Sequence, residues 1–328
     1  ISVVKGDAYG HGMYECTKAL MQIGCKKFYV ANTQDSLTLR EKYKNISIYV
    51  LSGCCSNQEI KTLYENNITP IVNNLDQLEF IKRQSKLINK KIKVVIHLDT
   101  GMNRLGFKTE DIVKIQEYRS YIEILFLMSH FTSADEKDLI ACNKQLNLLI
   151  KSNNFFNKQL SIANSGGCFL NPKYHLDYVR PGKSLYGINP FIKKELNIKQ
   201  VASLYSPILQ VSNLDKNETV GYSKTFKTNK KIKTATINIG YANGYMRSGS
   251  DKATTYIEGY SARVLGRISM DLITIDVSKV PKNYLKLGQP VEILGNNINY
   301  EDLARSMNTN EHELLISLGF GNKKNYLI

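Results

Sequence analysis

The strongest constraint on the fold is an alternation of short apolar runs and helical stretches along about the first 190 residues. Eight runs rich in β-branched and aromatic residues are separated mostly by stretches with helical periodicity. The runs are SVVK, KFYVA, ISIYVLS, ITPIVN, IKVVIHLD, IEILFLMSH, LSIANS and, after Arg180-Pro181-Gly182, KSLYGI. Strands that alternate with helices build parallel sheets. Eight such units favour a closed (β/α)8 TIM-like barrel over the alternative, an open doubly wound sheet.

The pattern changes after about residue 200, where strand-like segments follow one another without helices between them. These segments are LYSPILQVS, KIKTATINIG, ATTYIEG, ARVLG, DLITIDV and PVEIL. Two short helices are predicted near the end, around NYEDLARSM and NEHELLISL. We therefore predict an α/β chain with two domains: a barrel over residues 1–198 and a mostly β C-terminal domain over residues 199–328.

The composition narrows the possible partners. The chain has 44 basic and 29 acidic residues, a formal net charge of +15. Its lysines are dispersed among asparagines and isoleucines rather than clustered with aromatic residues, which disfavours nucleic-acid binding. The charge instead favours anionic substrates or cofactors. No apolar run approaches the roughly 20 residues that span a bilayer.

The 6 cysteines form no C-x-x-C pair and lack zinc-site spacing, which predicts free thiols in a reducing cytosol and no metal site. Because the first residue, Ile1, is not methionine and the chain opens within a strand, we expect an N-terminal segment to be missing from this sequence.

Polar residues follow the predicted barrel strands where each strand ends. Lys5 ends the first run, and a lysine partly desolvated in such a mouth becomes a nucleophile and a Schiff-base candidate. His97 and Arg104 follow the fifth run, and His130 follows the sixth. The seventh run ends in Asn164-Ser165-Gly166-Gly167, whose backbone amides could surround an anion. Since active sites of barrels lie at the carboxyl ends of the strands, these residues predict one site at the barrel mouth.

The motifs around these residues resemble those of alanine racemases, pyridoxal-phosphate (PLP) enzymes of fold type III. VVKGDAYGHG is similar to the cofactor-lysine motif of that family. The segments DTGMNRLGF, SHFTSADE, ANSGG, RPGKSLYG, VGYSKTF, GYANGYMR and GRISMD follow in family order with similar spacing. The resemblance implies a cytoplasmic, PLP-dependent isomerase that interconverts L-alanine and D-alanine for peptidoglycan synthesis. It also implies a homodimer in which each active site combines one subunit's barrel with its partner's β domain.

The resemblance further implies a two-base mechanism, because racemisation removes a proton from one face of the α-carbon and returns it to the other. Lys5 would be one base and would also hold PLP covalently. Tyr222, reaching in from the opposite subunit, would be the other. Arg104 would lie near the cofactor's phenolate oxygen and the substrate carboxylate, and the backbone at Met270 of the partner would help to bind that carboxylate.

Further positions carry roles by the same resemblance. Arg180 would face the pyridine nitrogen of PLP, with His130 beside it. The residues expected around the phosphate are Tyr9, Asn164, Ser165, Gly182 and Lys183. The residues expected to line the entrance are Asp135, Tyr241, Arg247, Arg267 and Asp271.

The chain departs from the family pattern at several positions. His97 stands where many relatives carry a lysine that becomes carbamylated and steadies the substrate-binding arginine, so Arg104 must be held by another acceptor, a bound anion or a neutral imidazole. Asn103 replaces a common glycine, and Asn243 replaces an aspartate. Phe320 stands where relatives often have a phosphate-contacting tyrosine. Two alternatives stay open: a racemase with broader substrates such as serine or lysine, and a non-catalytic PLP-binding protein.

Overall fold

The computed structural model of the protein describes residues 1–136, 138–191 and 196–327. The chain divides into two compact units. Unit 1 comprises Ile1–Ala8, Met13–Leu185 and Asn189–Asn197. Unit 2 comprises Tyr9–Gly12, Tyr186–Ile188 and Ile198–Ile328.

Unit 1 contains a curled sheet of seven parallel strands that pair in the order of the sequence, from β1 to β7. The strands are β1 (Ser2–Val3), β2 (Lys27–Val30), β3 (Ser47–Val50), β4 (Thr69–Val72), β5 (Ile92–His97), β6 (Ile122–Met128) and β7 (Gln159–Ser161). The α-helices in this part of the chain are Met13–Gln22, Thr33–Lys42, Asn57–Glu65, Leu75–Ile88, Ile112–Gln116, Ile140–Asn153 and Ser165–Cys168. Parallel strands need long crossovers, which most of these helices provide. The predicted TIM-like α/β architecture is confirmed, with seven of the eight predicted runs forming strands.

The eighth predicted strand, KSLYGI, is wrong: Lys183–Tyr186 is a 3-10 turn. A segment just before it contacts both edges of the sheet instead. Tyr178 forms a parallel bridge with Ser161 of β7, and the Val3 N–H of β1 donates to the Pro181 carbonyl at 3.0 Å. Pro181 has no N–H to continue a ladder, which stops strand pairing there. Arg180 therefore lies within the segment that joins the two sheet edges, rather than in front of a strand.

Unit 2 contains a closed antiparallel barrel of six strands in the order β11-β14-β13-β12-β15-β8, with a separate β9–β10 hairpin. The strands are β8 (Leu204–Leu214), β9 (Thr219–Val220), β10 (Phe226–Lys227), β11 (Ile232–Ile237), β12 (Thr254–Ile257), β13 (Tyr260–Leu265), β14 (Ile273–Asp276) and β15 (Pro290–Leu294). Helices Tyr300–Ser306 and Glu311–Gly321 follow. Side chains such as Ile208, Ile237, Val264, Ile275 and Leu314 are buried together in its core. The predicted mostly β C-terminal architecture is confirmed.

None of the helices within the described residues combines the length and the apolar character needed to cross a bilayer.

Candidate active site

The chain makes a left-handed turn directly after Lys5. Gly6, Asp7, Ala8 and Tyr9 have φ angles of 62°, 53°, 54° and 55°, and the Ala8 N–H donates to the Val4 carbonyl at 2.9 Å. For a residue other than glycine, this left-handed conformation is about 1–2 kcal/mol higher in free energy than the right-handed one. Backbone strain of this kind concentrates at functional sites, where the surrounding structure enforces it. The turn therefore supports a functional role for the segment that begins with Lys5.

The Lys5 ammonium has no hydrogen-bond or ion-pair partner within the described residues. Partial burial, and secondarily the positive charge of Arg104, lower the pKa of Lys5 below its usual range. Both effects favour the neutral amine, which is the form that can attack a carbonyl or accept a proton. The environment of Lys5 thus fits the nucleophile that the sequence predicts.

Arg180 is buried and donates hydrogen bonds to acceptors at the ends of β6 and β7. Its Nη1 donates to the Ser161 Oγ at 2.6 Å, and its Nη2 donates to the Ser129 carbonyl and approaches the His130 Nδ1 at 3.4 Å. A guanidinium only donates, so the His130 Nδ1 must accept and its proton must lie on Nε2. Burial, and then the charge of Arg180, lower the pKa of His130 well below its usual range. His130 is therefore neutral at pH 7.

Ser165 and the glycines after it form a small cup at the carboxyl end of β7. The Ser165 Oγ accepts from the Gly182 N–H at 2.9 Å and from the Ser184 N–H at 3.3 Å. Since both lone pairs of the Ser165 hydroxyl accept hydrogen bonds, its hydrogen can donate to a further acceptor, such as an anion. A Cβ added at Gly166 would lie 3.0 Å from the Ala134 carbonyl oxygen, so this side of the cup has no room for a side chain.

Asn164 holds the same segment in place. Its Oδ1 accepts from the Gly167 N–H at 3.1 Å, which caps the helix Ser165–Cys168, and its Nδ2 donates to the Phe131 carbonyl at 3.3 Å. Lys183 begins the 3-10 turn that follows Gly182.

Arg104 is exposed in the loop between β5 and Phe107. Asp99 shapes this loop: its carboxylate accepts from the Gly101 N–H at 3.0 Å and the Asn103 N–H at 3.1 Å. Asn103 has a φ of 54°, a left-handed conformation that asparagine tolerates better than most residues. This conformation explains physically why asparagine can stand where relatives carry glycine.

Tyr222 and Met270, which are predicted to come from the partner, lie on loops of unit 2 next to the predicted entrance residues Arg267 and Tyr241. Arg267 donates from Nη1 to the Ser223 Oγ at 2.9 Å, beside Tyr222. The Tyr241 N–H donates to the Ser269 carbonyl at 3.1 Å, beside Met270. Tyr222, Met270 and Tyr241 are 70%, 54% and 46% exposed. These large side chains are thus presented outward rather than packed in the unit 2 core.

The remaining predicted residues are more scattered. Arg247 and Asp271 of unit 2 and Asp135 of unit 1 are exposed. Tyr9 belongs to unit 2, where its ring stacks on Tyr186 with 5.0 Å between the centroids. Burial raises the pKa of Tyr9 to about 12, so its hydroxyl stays protonated.

The sequence analysis missed one polar residue at the barrel mouth. Asn73 directly follows β4, is buried, and has its Oδ1 2.8 Å from the His97 Nδ1. Its position after a strand is the same signal that selected His97.

Comparisons with known proteins show the family to which the chain belongs. Residues 1–190 match the model of the alanine racemase N-terminal domain, and residues 201–326 match that of the alanine racemase C-terminal domain. Alanine racemases of Rickettsia africae (strain ESF-5) and Rickettsia canadensis (strain McKiel) are 35% and 36% identical to this chain, over 99% of it and 91% of their own length.

Solved structures give the same result. The crystal structure of alanine racemase from Bartonella henselae with covalently bound pyridoxal phosphate has a TM-score of 0.94 and 33% identity, covering 99% of this chain and 92% of that one. The alanine racemase from Acinetobacter baumannii has a TM-score of 0.85 and 32% identity, covering 97% and 89%. The chain belongs to the alanine racemase family.

Proposed function

We propose that this protein is a PLP-dependent alanine racemase that interconverts L- and D-alanine with two bases. The observation that carries the proposal is the unpartnered Lys5 amine of lowered pKa in the same unit as the Arg180–His130 pair and the Ser165 cup. The Bartonella relative, which holds PLP covalently, supports the assignment of the cofactor.

The residues of unit 1 fit PLP chemically. Lys5 would hold the cofactor covalently, and the Ser165 hydroxyl would donate to its phosphate, with Asn164, Gly182 and Lys183 as further neighbours. Arg180 would face the pyridine nitrogen, and the neutral His130 would offer its Nε2–H. When bound, PLP supplies an electron sink that stabilises negative charge at the substrate α-carbon.

Proton transfer requires a base on each face of that carbon. Lys5, which is partly desolvated, would take or return the proton on one face. Tyr222 would act on the other face, and its exposure on unit 2 supports a role across a subunit boundary in a homodimer. Arg104 and the Met270 backbone would bind the substrate carboxylate.

The entrance would be lined by side chains that all lie exposed: Asp135, Tyr241, Arg247, Arg267 and Asp271. We also propose the division into a PLP-binding barrel over residues 1–198 and a C-terminal β domain over residues 199–328. In this proposal the enzyme acts in the cytoplasm and supplies D-alanine for peptidoglycan.

Chiral chromatography of L-alanine incubated with the PLP-loaded protein tests the function. We expect D-alanine to accumulate until the two enantiomers are equal, and no D-alanine with the Lys5→Ala variant. Lys93→Ala, which changes an exposed lysine on β5, is the matched control and should keep the parent rate. Protein that binds PLP but racemises no amino acid would refute the proposal, and faster racemisation of serine or lysine would correct the substrate.

A further inference from the structure

Gln145 is a buried polar side chain to which the proposed mechanism gives no role. It lies on the helix Ile140–Asn153, between β6 and β7, and is 3% exposed. The buried face of that helix also carries Leu146 and Leu149. A buried amide is costly unless its polar atoms are hydrogen-bonded. The partners of the Gln145 amide therefore show which segments it holds together.

Both ends of the Gln145 amide are fully engaged. Its Oε1 accepts from the Thr132 N–H at 3.0 Å and from the Thr132 hydroxyl at 3.1 Å. Its Nε2 donates to the His130 carbonyl at 2.9 Å and to the Thr100 Oγ1 at 3.3 Å. Because a backbone N–H only donates and a carbonyl only accepts, the amide cannot be turned round. These bonds use the whole hydrogen-bonding capacity of the amide and fix its orientation.

The partners of Gln145 belong to two different loops at the barrel mouth. His130 and Thr132 lie in the loop after β6, whereas Thr100 lies in the loop after β5. The Thr100 Oγ1 is also 2.6 Å from the Ser129 Oγ, which gives a second link between the two loops. Gln145 thus ties together two segments that are distant in the sequence, from a helix that belongs to neither.

Three successive carbonyls after β6 each accept a hydrogen bond from a different side chain. The donors to the carbonyls of Ser129, His130 and Phe131 are, in that order, Arg180, Gln145 and Asn164. Arg180 and Asn164 belong to the proposed cofactor site. Gln145 holds the middle carbonyl of the same run and also reaches the loop after β5.

The loop after β5 carries Arg104 shortly after Thr100. Asp99 shapes this loop from within, through bonds to the loop's own backbone N–H groups. The bond from Gln145 to Thr100 instead fixes the loop relative to a separate element. A Cβ added at Gly101 would lie 3.9 Å from the Gln145 Nε2, so the loop backbone runs directly beside the amide.

We propose that Gln145 is a positioning residue that sets the spacing between the loop of Arg104 and the loop of His130. In the proposed function Arg104 binds the substrate carboxylate, and His130 lies beside Arg180 at the cofactor ring. The two loops therefore hold the substrate and the cofactor side by side. A spacing that is already fixed in the free protein lowers the ordering cost of binding. This inference rests on the roles of Arg104 and His130 in the proposed function.

Hydrogen exchange of the PLP-loaded protein, followed by mass spectrometry, tests the tie between the loops. Gln145→Met keeps the length of the side chain but removes its four hydrogen bonds. We expect exchange to become about tenfold faster or more in both 99–107 and 129–134, because protecting hydrogen bonds are lost. Asn147→Met, at an exposed position of the same helix, is the matched control and should leave both segments unchanged. Unchanged exchange in either segment of Gln145→Met would overturn the proposal.

Kinetics separate positioning from a structural role, and Thr100→Val provides a second variant in case Gln145→Met folds poorly. Thr100→Val keeps the shape of the side chain and removes its links to Gln145 and Ser129. We expect each variant to raise the KM for alanine by about tenfold. The kcat should change much less, because the two proposed bases lie outside these loops. In the double variant, KM should rise by less than the product of the two single effects.

A purely structural role for Gln145 makes a different prediction. It would lower the urea midpoint of both variants while leaving KM unchanged, and that result would overturn the proposal, as would fully multiplicative effects on KM. A PLP-loaded parent that does not racemise alanine would refute the proposed function instead. Hydrogen exchange in the two loops would then still decide whether Gln145 sets their spacing.

Discussion

We expect the replacement of Tyr222 by phenylalanine to lower the racemisation rate without changing the stability of the protein. The change removes one oxygen from a side chain that is 70% exposed. No hydrogen bond within the described residues is lost, because none involves the Tyr222 hydroxyl. Exposed substitutions of this kind change the free energy of unfolding by about 0.5 kcal/mol or less. The urea midpoint of Tyr222→Phe should therefore match that of the parent.

The effect on the reaction should be large. A positioned general base contributes about 10²–10⁴-fold to a rate. This factor corresponds to a lowering of the activation free energy by roughly 3–5 kcal/mol. We expect racemisation by Tyr222→Phe to fall by at least about 100-fold. Tyr260→Phe, which changes another exposed tyrosine of unit 2, is the matched control and should keep the parent rate.

Proton exchange in heavy water gives the sharper measurement. With two bases on opposite faces, the parent should exchange the α-proton of both alanine enantiomers. Tyr222→Phe keeps Lys5, so it should exchange the α-proton of one enantiomer with retention and leave the other almost unexchanged. Proton NMR of each enantiomer measures both rates. Racemisation at the parent rate, or equal losses of exchange for both enantiomers, would refute the two-base assignment.

Three further predictions concern the supporting structure. Gly167→Ala should lower the free energy of unfolding by about 1–3 kcal/mol in urea denaturation, because its Cβ would lie 2.8 Å from that of Ala163; an unchanged midpoint would contradict this packing. Asn103→Ala should destabilise the protein by about 1 kcal/mol in the same assay, since alanine is strained at a φ of 54°, whereas Asn103→Gly should not. Stability should also fall as the pH drops from about 6.5 toward 4. The pKa of His97 is lowered by burial to about 4 in the folded protein, so the unfolded chain binds a proton at this imidazole at a higher pH than the folded protein does. This difference should lower the free energy of unfolding by roughly 3 kcal/mol by pH 4. Urea midpoints across this range should vary less in His97→Asn than in the parent, although the lowered pKa of His130 keeps part of the slope.

One departure from the family pattern has a local structural explanation. The Asn243 Oδ1 accepts from the Gly240 N–H at 3.1 Å, while its Nδ2 donates to the Gly321 carbonyl at 3.3 Å. An aspartate in the same place could accept the first bond but could not donate the second. Phe320, by contrast, is 68% exposed, and nothing in the structure explains the loss of a hydroxyl there.

The sequence alone determined the architecture and most of the proposed site. Strand–helix alternation identified seven strands of unit 1, and the change to closely spaced strands identified the β-rich part of the chain. Because the carboxyl ends of parallel strands lie at one edge of a sheet, the residues after each strand could be assigned to one mouth without coordinates. This reasoning selected Lys5, Arg104, His130 and Ser165, since it depends only on local periodicity.

Tertiary structure alone decided the features that depend on contacts between distant segments. The edges of the seven-stranded sheet are joined through Tyr178 and Pro181 rather than by a strand at 183–188. The Asn73 Nδ2 donates to the Leu51 and Ile71 carbonyls, so the Asn73 Oδ1 faces the His97 Nδ1 and places the imidazole proton there. Local sequence encodes propensity, whereas burial and hydrogen-bond geometry arise only when separate segments pack together. The partner of the His97 side chain, Asn73, is 24 positions away in the sequence, so only the packed structure reveals it.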